Sequence, residues 1–214
     1  MSELLKLTNI SYQVNQQEIL QNISFTLNNN DYLTLTGPSG SGKSTLLQLI
    51  ADLLTPTAGK IAFHKSNIAT MDPISYRKKV SYCAQQPTLF GNTVLDNFSF
   101  PYQIRKKSFD MEKAKASLRR ISLPENYLSK KITELSGGER QRIALIRNLL
   151  FLPEILLLDE VTAELDDESK QVIHQLIDEL NKEEKFAIIY VTHDSQEINS
   201  AKNLKKIVAG KLEE

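Results

Sequence analysis

Gly37-Pro38-Ser39-Gly40-Ser41-Gly42-Lys43-Ser44-Thr45 decides how the rest of this chain is read. Ahead of it, Tyr32 to Thr36 has strand character. Behind it, Leu46, Leu47, Ile50 and Leu54 fall on one helical face until Pro56 and Gly59 end the run. A glycine-rich turn between strand and helix satisfies G-x-x-x-x-G-K-[ST] in the context that pattern requires. The glycines let main-chain N–H groups converge on an anion without Cβ obstruction. The helix that follows adds a positive end and unpaired N–H groups. These features make a phosphate cradle, with Lys43 placed to reach the β- and γ-phosphates of ATP and Ser44 to bind Mg2+.

Upstream, Ile23, Phe25 and Leu27 alternate with polar neighbours and Asn28-Asn29-Asn30-Asp31 breaks the pattern, as in a half-buried antiparallel layer feeding a central strand. Downstream, Pro87 to about Lys131 is richer in Phe, Lys and Arg, with a helical stretch Met111 to Ile121 between Pro101 and Pro124. That stretch reads as an inserted helical lobe. Ile155 to Leu158 and Ala187 to Val191 are apolar without alternation, which fits strands covered on both faces of a parallel sheet, and Glu168 to Leu180 between them is helical. The sequence as read stops soon after Gly210, so a regulatory tail is not expected.

Composition narrows the function classes. Lys plus Arg and Asp plus Glu number 26 each, for a net charge of zero, so no global basic field holds nucleic acid or an anionic membrane. A local patch stays open. No apolar stretch approaches the roughly 18 residues of a membrane span, and Met1 to Leu7 does not read as a secretory signal. Cys83 is the only cysteine, which excludes an intrachain disulfide and fits the cytosol. Any membrane role must run through a partner.

The strand Ile155-Leu156-Leu157-Leu158 delivers Asp159-Glu160 at its C-terminal edge, where ligands sit in open α/β sheets. Successive strand residues point to opposite sides, so Asp159 can serve Mg2+ through water while Glu160 orients or deprotonates an attacking water. Alone, an Asp-Glu pair after leucines is a solvated strand end; beside the phosphate cradle it becomes a catalytic pair.

Leu135-Ser136-Gly137-Gly138-Glu139-Arg140-Gln141-Arg142 opens a helix whose apolar face includes Ile143, Ile146 and Leu150. It is a second helix N-terminus suited to anions. With this octet the sequence resembles the nucleotide-binding subunits of ABC ATPases, over nearly its whole length. The resemblance implies an α/β fold: a P-loop NTPase (RecA-like) core, 1–85 and 151–214, with an N-terminal antiparallel β layer and an α-helical lobe inserted at 86–150. It assigns Tyr12 to adenine stacking, although a Tyr alternating with Ile10 and Val14 equally fits strand packing. Gln85, in Ser81-Tyr82-Cys83-Ala84-Gln85, matches the glutamine that senses Mg2+ and water and links the site to a membrane partner. His193, in Val191-Thr192-His193-Asp194, matches the switch histidine of the γ-phosphate, whereas His64 and His174 read as structural.

The resemblance further implies a head-to-tail homodimer in which Ser136, Gly137 and Gly138 of one copy close on ATP held by the other. Asp166 belongs to the same cross-subunit segment. Here that segment is Ala163-Glu164-Leu165-Asp166 where Ser-Ala-Leu-Asp is usual, so the serine hydroxyl is lost and Asp166 kept.

Pro87-Thr88-Leu89-Phe90-Gly91, Asp96-Asn97, Phe98 through Pro101 to Gln103-Ile104-Arg105, and Ile146-Arg147-Asn148-Leu149 are similar to the ATP-binding subunits of FetA–FetB type iron exporters, also called YbbL and YbbM. A polytopic FetB-like permease would then be the partner, holding the chain at the cytoplasmic face of the membrane. Phe90, Phe98, Phe100 and Tyr102 would line a groove for a short helix of that permease, or fill the lobe's own small core. A non-transport ABC ATPase of the lipoprotein-release, cell-division or regulatory kind is the rival reading. A non-hydrolysing scaffold is disfavoured by the presence of Glu160.

Overall fold

A computed structural model describes residues 2–213. The chain divides into two compact units: Met1–Tyr82, Pro153–Glu160 and Lys185–Glu214 form the first, Cys83–Leu152 and Val161–Glu184 the second. In chain order the strands are β1 (Glu3–Val14), β2 (Gln17–Asn28), β3 (Tyr32–Thr36), β4 (Ala58–Phe63), β5 (Ser66–Asn67), β6 (Val80–Cys83), β7 (Ile155–Asp159), β8 (Ala187–Val191), β9 (Leu204–Val208) and β10 (Lys211–Glu213). The helices are α1 (Lys43–Ile50), α2 (Pro73–Arg77), α3 (Val94–Gln103), α4 (Met111–Arg120), α5 (Gly137–Leu149), α6 (Asp167–Glu184) and α7 (Ser195–Ser200).

In the first unit, β1 and β2 form a hairpin turned by Asn15 and Gln16, both at positive φ, the geometry that matches strand twist in a two-residue turn. Their register pairs Leu5 with Leu27, Leu7 with Phe25 and Ile10 with Ile23, all buried. The expected antiparallel layer is therefore present, in the order β2-β1-β4-β5. The second sheet runs β10-β9-β3-β8-β7-β6. β3, β8, β7 and β9 are parallel, with Leu35 beside Val191 and Asp159 beside Val191. Every residue of β7 and β8 is buried, as their unbroken apolar sequences predict. Because β3, β7 and β8 share one direction, the Gly37–Thr45 turn, Asp159-Glu160 and Thr192-His193 emerge at the same sheet edge. α1 stops at Ile50, one turn short of the expected Leu54, where Asp52 takes a left-handed conformation (φ 57).

The second unit is helical. α3 starts at a capping box between Thr93 and Asp96, α4 at an Asp110 cap and α5 at a capping box between Ser136 and Glu139; each satisfies N–H groups that the helix itself cannot. α5 packs on α3, α4 and α6. Val161–Glu184 groups with this unit: the apolar face of α6 (Ile173, Leu176, Ile177, Leu180) is buried and α6 contacts α5. The aromatics divide: Phe98 and Tyr102 are core residues, whereas Phe90 and Phe100 are exposed, their rings 4.7 Å apart. Cys83 is buried, with Asn148 Nδ2 donating to its Sγ at 3.2 Å. Burial pushes its pKa up to about 12, against the smaller opposing pull of Asn148 and Arg147.

Candidate functional site

The turn after β3 is shaped by glycines at positive φ: Gly37 at 138°, Gly40 at 75° and Gly42 at 101°. A Cβ on Gly37 would stand 2.0 Å from Ile207 O, and one on Gly42 2.7 Å from Leu20 Cδ2. Gly40, Pro38 and Ser39 are exposed. Gly42 occupies the cap position of α1 and no side chain caps that helix, so its N-terminal amides and positive dipole end are left for a ligand. Ser41 Oγ is buried and has no hydrogen-bond partner among the described residues. Lys43, 5% exposed, donates from Nζ to Gly37 O at 2.8 Å and Pro38 O at 3.0 Å. Uncapped amides, an orphaned hydroxyl and an ammonium held by two carbonyls together fit a polyphosphate.

Asp159 ends β7 with both carboxylate oxygens engaged: Ser44 Oγ donates to Oδ1 at 2.9 Å and Tyr82 Oη to Oδ2 at 2.8 Å. Burial raises its pKa; the neighbouring Glu160 charge adds to that, while Tyr82, Ser44 and Lys43 pull the other way. A buried carboxylate short of positive charge beside a serine hydroxyl is a hard-oxygen donor set, which suits Mg2+. Among the described residues no group of three or more His, Cys, Asp or Glu could hold a metal by itself, and Mg2+ in nucleotide sites takes its remaining ligands from phosphate and water.

Glu160 sits just past the strand at φ 51, its N–H donating to Val191 O at 3.0 Å. Its carboxylate lies 4.0 Å from Lys43 Nζ and 3.3 Å from His193 Nδ1. The separation of Asp159 and Glu160 thus comes from a left-handed residue after the strand, not from the pleat alone. His193 is 60% exposed on a turn braced by Asp194 N–H donating to Thr192 Oγ1 at 3.0 Å and by a bond between Thr192 and Glu197. Tyr12 is half-buried against the core. Its register partner Leu20 lies against Gly42.

In the second unit, Ser136 Oγ accepts from Glu139 N at 3.2 Å and Glu139 Oε2 accepts from Ser136 N at 2.8 Å. Tyr127 Oη (2.6 Å) and Lys130 Nζ (3.2 Å) complete the Glu139 carboxylate. Burial works against its charge, but these bonds outweigh it and hold its pKa below the usual value. Gly137 has open space around it, whereas a Cβ on Gly138 would meet Ser169 Oγ at 2.6 Å. Asp166 caps α6, accepting from Ser169 N at 2.8 Å and Ser169 Oγ at 3.1 Å. Gln85 is exposed, outside any helix or strand.

The first unit accordingly brings together Lys43, Ser44, Asp159, Glu160 and His193, and the second Ser136, Gly138 and Asp166. Sequence reasoning missed Tyr82 and Ser169. Tyr82 stood within a quoted stretch but carried no signal of its own; Ser169, three residues after Asp166, has the spacing of a helix cap partner.

A glycine turn heading a helix beside a carboxylate at the end of a parallel strand defines a nucleoside triphosphatase of the phosphate-loop class. The chain belongs to the ABC transporter family, whose sequence profile matches residues 20–163, and it is an ATP-binding, ATP-hydrolysing nucleotide-binding subunit of that family. It is 48% identical to the "Probable iron export ATP-binding protein FetA" of Escherichia coli (strain K12), over 94% of this chain and 89% of that protein. It is 36% identical to the "Spermidine/putrescine import ATP-binding protein PotA" of Acetivibrio thermocellus, over 91% of this chain but 55% of that longer one. Among solved structures, the ATP-binding cassette MJ0796, a dimer in a post-hydrolysis state bound to ADP and Pi, matches with a TM-score of 0.88 and 29% identity, over 99% of this chain and 97% of that one. No helix among the described residues is long and apolar enough to cross a membrane.

Proposed function

We propose that this chain powers iron export: it hydrolyses ATP as a head-to-tail homodimer beneath a polytopic, FetB-like membrane subunit, peripheral to the cytoplasmic face. The observation that carries the cargo is the 48% identity to an iron-export ATP-binding protein along nearly the full length of both chains. Support for the dimer comes from MJ0796. The lobe at 86–150, with Phe90 and Phe100 exposed, is the part that meets the membrane subunit, and Gln85 links it to the nucleotide.

In this reading Lys43 leaves the carbonyls of Gly37 and Pro38 for the β- and γ-phosphates, which the main chain from Gly37 to Thr45 surrounds, and Tyr12 stacks on adenine. Ser44, Asp159 and Gln85 would hold Mg2+, which would supply positive charge against the negative charge of the phosphates. Glu160 takes a proton from water as its oxygen attacks the γ-phosphorus, and the bond to the bridging oxygen breaks to release ADP. His193 hydrogen-bonds the γ-phosphate. Ser136, Gly137 and Gly138 of the second copy neutralise charge that develops in the transition state, while Asp166 shapes the contact between copies.

Glu160→Gln is expected to retain ATP binding, slow turnover by roughly 10² to 10⁴ and accumulate an ATP-bound dimer on gel filtration; undiminished turnover removes Glu160 from the mechanism. For the cargo, expression with the polytopic protein that copurifies from membranes should lower cell-associated iron relative to the same pair carrying Lys43→Ala. Equal iron in the two strains rejects iron, and recovery of soluble partners alone rejects transport.

A further inference from the structure

The second unit carries a cluster of positive charge for which the nucleotide chemistry has no use. The ring of Phe151 has three cations over it: Arg105 Cζ at 4.6 Å from the centroid, Lys107 Nζ at 5.2 Å and Lys113 Nζ at 5.2 Å. A ring has two faces, so at least two of these charges share one. No two can be farther apart than about 10 Å, which is a Debye length at 0.1 M salt, so their mutual repulsion is incompletely screened. Ring quadrupole attraction holds each cation singly, but it does nothing to neutralise the group.

Nor do carboxylates neutralise its lysines. Among the described residues no Asp or Glu forms an ion pair with Lys106, Lys107 or Lys113. Asp110, the acidic residue within this stretch, spends Oδ1 on Lys113 N–H at 2.9 Å as the cap of α4. Glu112 pairs with Lys115. Beneath the cluster, Tyr102 packs edge-on against the same Phe151 ring at 4.7 Å. Tyr102 is 4% exposed and its hydroxyl has no hydrogen-bond partner among the described residues.

Large apolar side chains stand exposed beside these charges in sequence: Ile104 at 41%, Met111 at 43% and Leu152 at 37%. Basic heads of one sign interspersed with exposed aliphatic groups are the composition of a surface that lies on an anionic bilayer. An acidic protein segment would complement the charge but leave the aliphatic groups in water.

We infer that the Lys106, Lys107, Lys113 and Phe151 region binds an anionic lipid surface, with the exposed lysine heads on headgroup phosphates and Ile104, Met111 and Leu152 at the headgroup–acyl boundary. The chain's zero net charge makes this contact local and strongly salt-dependent. It adds to the membrane subunit a second hold on the bilayer, belonging to the ATPase itself.

The test is sedimentation of the purified full chain with vesicles of phosphatidylglycerol and phosphatidylcholine, against vesicles of phosphatidylcholine alone, at low and at 0.5 M salt. Binding should require phosphatidylglycerol and be lost at high salt. At about fivefold per charge, Lys106→Gln, Lys107→Gln and Lys113→Gln together should weaken it on the order of 100-fold. Nucleotide affinity should be unchanged, which confirms that the triple variant folds and keeps this outcome separate from the ATPase reading. Equal sedimentation with both vesicle types, or a triple variant that sediments like the parent, overturns the inference.

Discussion

Both α1 and α5 begin at a turn of glycine and serine, yet their first turns are finished differently. At α1 the cap position is a left-handed glycine, no side chain caps the helix, and Ser41 Oγ is left without a partner. At α5 Ser136 and Glu139 satisfy one another, with Tyr127 and Lys130 behind them. Electrostatics follow the same division: Asp159 beside α1 has a raised pKa, Glu139 at α5 a lowered one. A helix end that awaits its ligand leaves groups unsatisfied. One that is finished internally keeps its shape in either state, and offers an anion only what projects from it.

The comparison would break most visibly at Gly37. Gly37→Ala puts a Cβ against Ile207 O in a conformation that alanine avoids, so nucleotide binding should vanish in a fluorescent-ATP titration, with a stability loss of about 3 kcal/mol on denaturant unfolding. Unaltered binding would mean that the α1 turn does not depend on its main-chain shape.

At α5 the expected effect is smaller and specific to turnover. Gly138→Ala drives a methyl against Ser169 Oγ and displaces the turn, which should cost roughly 10²-fold in kcat while leaving ATP affinity intact. Adding Ser169→Ala removes the clashing oxygen and should recover part of that loss. If the double variant is no better than the single, the obstruction lies elsewhere.

Asp159 gives the smallest effect and sharpens the electrostatic contrast. With its native pKa raised, Asp159 takes up a proton in the folded state before the unfolded chain does. Its contribution is therefore most favourable in acid and is lost as pH rises through the native pKa. Asp159→Asn should raise the melting temperature of the nucleotide-free protein at pH 7 by about 2–4 °C, with the gap closing toward pH 4. A lower melting temperature would show that the bonds from Ser44 and Tyr82 outweigh the charge.

The parts of the fold that sequence alone revealed are those where one local rule suffices. The unbroken apolar runs of β7 and β8 can only be strands buried on both faces, and the glycine spacing at 37–42 admits few turns. β4, β5, β9, β10 and α2 escaped notice because they are short, and their apolar residues are few or interrupted by lysines, as in Leu204–Val208. Most of the site was legible as motifs, but Tyr82 and Ser169 act through partners 77 and 31 residues away in sequence, Asp159 and Gly138 respectively, and no local pattern encodes such distances.

The burial of Cys83 has a practical corollary. A sulfhydryl sealed from solvent and held protonated at neutral pH is silent to maleimides, which attack thiolate. A single added thiol on the exposed side of α6, for instance Gln171→Cys, would thus carry the only dye on each chain. In the homodimer proposed above, the approach of one copy to another could then be followed by energy transfer without first removing the native sulfur.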